Sequence, residues 1–135
     1  MKLIDSHAHL DNEQFDEDRA EVLERIKENL EFAVNIGYDI ESSRRSVKYA
    51  NENDFIYAVV GVHPIDIEGY SDEVEKELEE LASDKKVLAI GEIGLDYHWM
   101  TQPKEVQQKF FRRQMELARR VGKPVVIHSR DAMED

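Results

Sequence analysis

The chain has 135 residues, 41% of them hydrophobic, and a formal net charge of -12; by the prior of roughly 100–200 residues per domain, that length supports one hydrophobic core. No apolar run approaches the ~18 residues that a membrane span needs. The absence of cysteine removes disulfides, thiolate metal ligands and thiol nucleophiles, and thirty acids against eighteen bases disfavour non-specific attraction to polyanions.

Short β-branched runs alternate with amphipathic stretches, the pattern of βαβ units feeding a parallel sheet. Residues 2–5 read as a first strand and 16–30 as a helix, with Ala20, Leu23, Ile26 and Leu30 at helical spacing. A strand at 32–36 precedes a helix at 41–53 with Val47 and Ala50 on one side, and 55–60 is the third strand. The helix at 71–82 starts at the N-cap Ser71 and carries Val74, Leu78, Leu81 and Ala82. After a strand at 87–90, the helix at 104–121 has a stripe of Val106, Phe110, Leu117 and Val121 and ends at Gly122. Pro124 opens the last strand, 125–127.

Five strands and four helices in one domain over 1–135 match the first part of a TIM-type (β/α)8 barrel, an architecture that typically takes ~250 residues. The expectation is therefore the N-terminal portion of such a barrel, with an open five-stranded sheet as the intact alternative. A truncated chain is expected to self-associate through its open strand edges, and a full-length one to be a monomer. The start, MKLIDSHAHLD, reaches Asp5 and His7 before any apolar stretch can form, so no secretory signal and no membrane association are expected and the expected location is cytoplasmic.

Charge is segregated along the chain: residues 66–84 carry nine acids and one base, residues 101–123 seven bases and two acids. Both runs read as solvated helix faces.

The unusual polar residues fall at C-terminal strand ends: His7 and His9 after the first strand, His63 after the third, Glu92 after the fourth, His128 after the fifth. In a parallel barrel these ends converge on one mouth, where active sites of this architecture are built. His7 and His9, two apart in extended chain, share a face and can clamp one ion. Glu92, in the glycine-flanked apolar run AIGEIGLD, is a costly carboxylate unless it is paired or metal-bound, and a bridge between two cations suits it. Two divalent ions would lower the pKa of a bound water and support hydrolysis, and nitrogen and oxygen ligands allow Zn, Mn or Mg. Asp96 reads as a turn residue or as part of the mouth, and Trp99, with His98 farther along that loop, reads first as a loop-packing aromatic, with stacking on a substrate base as the alternative.

DSHAHLD at 5–11, VGVHP at 60–64, AIGEIGLDYH at 89–98 and GKPVVIHSRDA at 122–132, in this order, resemble the TatD family of metal-dependent deoxyribonucleases in the amidohydrolase superfamily. The resemblance implies a (β/α)8 barrel of the metal-dependent hydrolase type. It also implies a two-metal site with His7 and His9 on one ion, Glu92 as the catalytic bridging carboxylate and His128 on the second ion. His63 and Arg130 would then lie near the phosphate of a DNA substrate trimmed from its 3′ end. Family members add a histidine from strand six and a water-activating aspartate from strand eight, and these 135 residues contain neither strand. Cleavage of a small amide or ester, and a catalytically incomplete metal-binding half-barrel, remain the alternatives.

Overall fold

The computed structural model describes residues 2–135. The predicted alternation resolves into β1 (Leu3–Ala8), α1 (Arg19–Asn29), β2 (Leu30–Ile36), α2 (Ile40–Glu52), β3 (Ile56–Val60), α3 (Asp72–Ala82), β4 (Val87–Asp96), α4 (Lys104–Val121) and β5 (Val125–Arg130), with short 3-10 turns at Glu13–Phe15 and Ile67–Gly69. The five strands pair in sequence order, and every pairing is parallel. Consecutive parallel strands joined through helices are the repeating unit of a TIM-type barrel, and the sheet forms the first five strands of one.

Three strands run further than their apolar residues suggest. β1 continues past Asp5 to Ala8, β4 past Ile90 to Asp96 and β5 past Ile127 to Arg130. Ladder hydrogen bonds belong to the backbone, so pairing carries on through polar side chains, as in Ala8 with Asn35, Gly94 with His128 and Asp96 with Arg130. His7, Glu92 and His128 therefore sit within strands, where the sheet fixes their backbones.

The first helix begins at Arg19, later than expected, and Ala20 is exposed; Val22, Leu23 and Ile26 make the partly buried stripe. α2 begins earlier, behind a capping box in which the Ser42 N–H donates to the Asp39 carboxylate at 2.7 Å and the Ser42 hydroxyl accepts from the Asp39 N–H at 3.0 Å. Ser71 caps α3 by accepting from the Val74 N–H, and Gly122 ends α4 in the left-handed conformation (φ 69°) that favours glycine.

The core is built on both faces of the sheet. Against the helices lie Ile56, Ala58, Val60, Leu78, Ile90 and Leu117; on the inner face Val34, Ile36, Val59 and Ala89 form a smaller cluster with Val126. The acidic and basic runs meet each other. Arg113 bridges to Asp72 and Glu75, and Arg120 to Glu75 and Glu79, so these two arginines are ion-paired to α3 and are not merely solvated. On the outer sides of β1 and β5, Leu3, Ile4 and Ile127 are exposed. Among the described residues no helix is long and apolar enough to cross a membrane.

Candidate metal centre

The β1 exit is fastened to its neighbours before any side chain reaches the mouth. The Leu10 N–H donates to Asn35 Oδ1 at 2.6 Å, and the Asn35 amide nitrogen donates to Asp11 at 3.0 Å and to the Ser46 hydroxyl at 2.7 Å. Asn35 is fully buried at the end of β2, and Arg45 of α2 completes the fastening with an ion pair to Asp11. His9 Nδ1 donates to the Ile36 carbonyl at 2.9 Å. That bond fixes the tautomer and leaves the Nε2 lone pair free for a ligand.

Glu92 sits where β4 shifts register between Ile90 and Ile93; its N–H donates to the Gly37 carbonyl at 2.9 Å, and the Gly91–Glu92 peptide is cis. One carboxylate oxygen lies 3.5 Å from His7 Nε2 and the other 3.3 Å from His128 Nδ1. His128 is oriented from behind, with its Nε2 2.8 Å from the Asp96 carboxylate. A neutral imidazole has one proton; Asp96 takes it, so the Nδ1 lone pair of His128 faces the Glu92 carboxylate. β5 comes this close because residue 94 is glycine: a Cβ there would collide with the His128 carbonyl oxygen, at a backbone φ of 145° that side chains disfavour.

The ligand-competent atoms form two groups, each within 4.8 Å: His7, His9 and Glu92, and His63, Glu92 and His128. Glu92 belongs to both. Lone pairs converging on one carboxylate, with no Lys or Arg bridged to it among the described residues, are a donor set that fits divalent cations. The carboxylate–histidine pair at Asp96 and His128 is the outer support typical of such sites.

His63 differs from the other histidines. The Ile65 N–H donates to its Nδ1 at 3.2 Å, so the neutral ring carries its proton on Nε2. Burial, and then the neighbouring His128 with ring centroids 4.1 Å apart, push its pKa down to about 4. Arg130 lies outside both groups. Its guanidinium stands 5.7 Å from the centre of the Trp99 ring, at the mouth end of β5. A cleft beside Glu92 is lined by His9, Tyr38, His63, Ile65 and Asp66; burial, with the charge of Asp39, raises the Asp66 pKa.

Several supporting residues escape a reading by sequence. Asp96 is both turn residue and ring support: one oxygen accepts from the N–H groups of His98 (3.1 Å) and Trp99 (2.9 Å), the other holds His128. Burial works to raise its pKa, but the Trp99 N–H and the His128 ring outweigh burial and hold the carboxyl below its ordinary range. Behind it, Gln107 of α4 accepts from the Asp96 N–H at 2.8 Å and donates to its carbonyl at 2.9 Å. Gln114, seven residues on, makes the same pair of bonds to Val62, the residue before His63, also at 2.8 and 2.9 Å. The expected α4 stripe jumps from Phe110 to Leu117, and Gln114 fills that gap; Val106, Phe110 and Val121 are only partly buried. Trp99, expected to pack under its loop, is 61% exposed.

Residues 4–135 match the family model described as TatD related DNase. The uncharacterized metal-dependent hydrolase YabD of Bacillus subtilis strain 168 is 47% identical over 134 residues, covering 98% of this chain and 52% of YabD. The 3'-5' ssDNA/RNA exonuclease TatD of Rahnella sp. strain Y9602 is 37% identical over 128 residues, covering 93% of this chain and 49% of that protein. The crystal structure of YjjV, a TatD homologue from Escherichia coli K12, superposes with a TM-score of 0.85 at 32% identity, covering 96% of this chain and 51% of YjjV. The chain spans about half the length of the relatives it matches. It belongs to the TatD-related DNase family.

Proposed function

We propose that these residues form the cation-binding side of a metal-dependent phosphodiesterase that trims DNA strands from a 3′ end. The observation that carries this reading is the Glu92 carboxylate shared between two groups of histidines. Two divalent ions held there, Zn, Mn or Mg, would acidify a bound water and neutralise charge on the phosphate. His7 and His9 would hold one ion with Glu92, and His128 the other.

The remaining roles follow from the protonation pattern. With its pKa lowered to about 4, His63 is neutral at pH 7 and presents Nε2–H, which suits donation to a non-bridging phosphate oxygen. Arg130 supplies a fixed positive charge at the same mouth, suited to a second phosphate of the strand. Strand polarity and nucleic-acid substrate draw support from the likeness to the 3'-5' ssDNA/RNA exonuclease TatD of Rahnella.

The test is incubation of a 5′-labelled single-stranded oligonucleotide with the full-length protein and Mn, Mg or Zn. Stepwise shortening that EDTA abolishes and that Glu92→Gln lacks is the expected result. An intact oligonucleotide beside an active control nuclease rejects the reading, and turnover of a panel of small amides would replace it.

A further inference from the structure

We propose that Trp99 is a stacking platform for an unpaired nucleobase next to the reacting strand end; this rests on the phosphodiesterase reading and assigns a residue to base recognition in it. The ring is 61% exposed although its backbone is firmly held. Its own N–H and that of His98 are bound by Asp96, and the Thr101 hydroxyl ties the same loop to the Ile65 carbonyl at 3.2 Å. The His98 ring meets the indole edge-on at 4.8 Å, and Arg130 stands over it. An indole fixed in place while most of its surface faces water gains little from burial, which is the usual reason for a large aromatic side chain in a loop.

Position gives that surface a purpose. Arg130 follows His128 by two residues in β5, so both side chains leave the same face, about 6.6 Å apart along the strand. That separation is on the scale of one step of an extended strand. A phosphate held at the mouth beside His128 would place its neighbour at Arg130, with the attached base beside Trp99. Every base has a π face, so the platform is indifferent to sequence, but a base inside a duplex has both faces occupied by its neighbours. Discrimination for frayed or single-stranded ends follows from this geometry.

Trp99 is the only tryptophan in the chain, so its fluorescence reports this position alone. In the free protein, acrylamide should quench it efficiently. With the metal chelated, so that nothing is cut, titration with an oligothymidylate should quench it further. The same length of abasic strand, or a blunt duplex, should leave emission unchanged. Trp99→Ala should weaken single-strand affinity, read by anisotropy of a labelled strand, by roughly 10-fold, within the range that base stacking supplies. Arg119→Ala, a charge change on the distant helix face where Arg119 pairs with Glu116, should leave that affinity unaltered. The proposal is overturned if the strand binds without changing the emission, if Trp99→Ala binds as tightly as the parent, if no strand binds, or if the free protein already emits to the blue and resists acrylamide because another protein surface covers the ring. Quenching without any cleavage once metal is restored would reject the phosphodiesterase reading and leave the platform standing.

Discussion

Charged groups crowd two regions of this molecule, the strand-end mouth and the α3–α4 interface, and the two are built on opposite terms. Between the helices each acid at the contact has a base: Asp72, Glu75 and Glu79 meet Arg113 and Arg120, and the Tyr70 hydroxyl adds a bond to Glu75 at 2.9 Å. At the mouth Glu92 meets, among the described residues, only imidazoles, and His9 and His128 turn lone pairs toward the centre because Ile36 and Asp96 hold their protons behind them. The lesson is that density of charge does not mark a site. What marks it is charge left incomplete by a scaffold that has gone to the trouble of orienting it.

The strongest way to break the comparison is Glu92→Gln. If the mouth is built to hold a cation, removing its shared carboxylate should reduce Mn or Zn affinity, measured by calorimetry, by more than about 100-fold, beyond what loss of an outer support costs. Unchanged affinity would mean that the two regions do not differ in kind. Asp96→Asn should act through His128 and cost about 10- to 100-fold in metal affinity; an effect on stability alone would make Asp96 a turn residue and nothing more.

Smaller effects separate the scaffolds. Gln114→Ala leaves the Val62 N–H and carbonyl unpaired in a buried position, and should lower unfolding free energy by about 2 kcal/mol in urea. Glu75→Gln, in the self-neutralised region, should cost only about 1 kcal/mol at neutral pH.

The regions should also answer acid in different windows. His63 has a folded pKa below its unfolded value, so the stability it contributes is complete above pH 6.5 and is lost as pH falls from there to about 4. Burial favours a higher pKa for Glu75, yet the hydrogen bonds of Tyr70 and Arg120 and the charge of Arg113 hold it below its ordinary 4.5, so its contribution is lost only as pH drops through that value. In chelator, urea midpoints against pH should show the first decline in the parent and lose it in His63→Asn, while Glu75→Gln should flatten the lower limb. A single common decline would erase the distinction.

Much of this was legible in the sequence because parallel strands and amphipathic helices leave strong periodicities. The strand order, the Ser71 cap, the Gly122 stop and the gathering of His7, His9, His63, Glu92 and His128 at one end all follow from residue pattern. What stayed hidden depends on the third dimension. Apolar runs stop before backbone pairing does, so the pattern places the ends of β1, β4 and β5 too early. Gln107, Gln114 and Asn35 are polar residues satisfied inside the protein, and only their partners, distant in sequence, explain their burial. The exposure of Trp99 and the pairing of Arg113 with α3 likewise depend on which surfaces meet.

The two amide clamps of α4 make that helix a ruler. Gln107 and Gln114 are two turns apart, about 10.5 Å along the axis, and each grips the backbone beside a different strand end. The interval between them thus sets the height of His63 relative to Asp96 and, through Asp96, to His128. A side-chain exchange in between alters a surface, but one residue inserted or deleted there would swing the second amide by about 100° around the helix, releasing one strand end while the other stays gripped. This segment of the gene should therefore accept point changes at Arg112 or Met115, whose side chains face outward, and refuse any change in length.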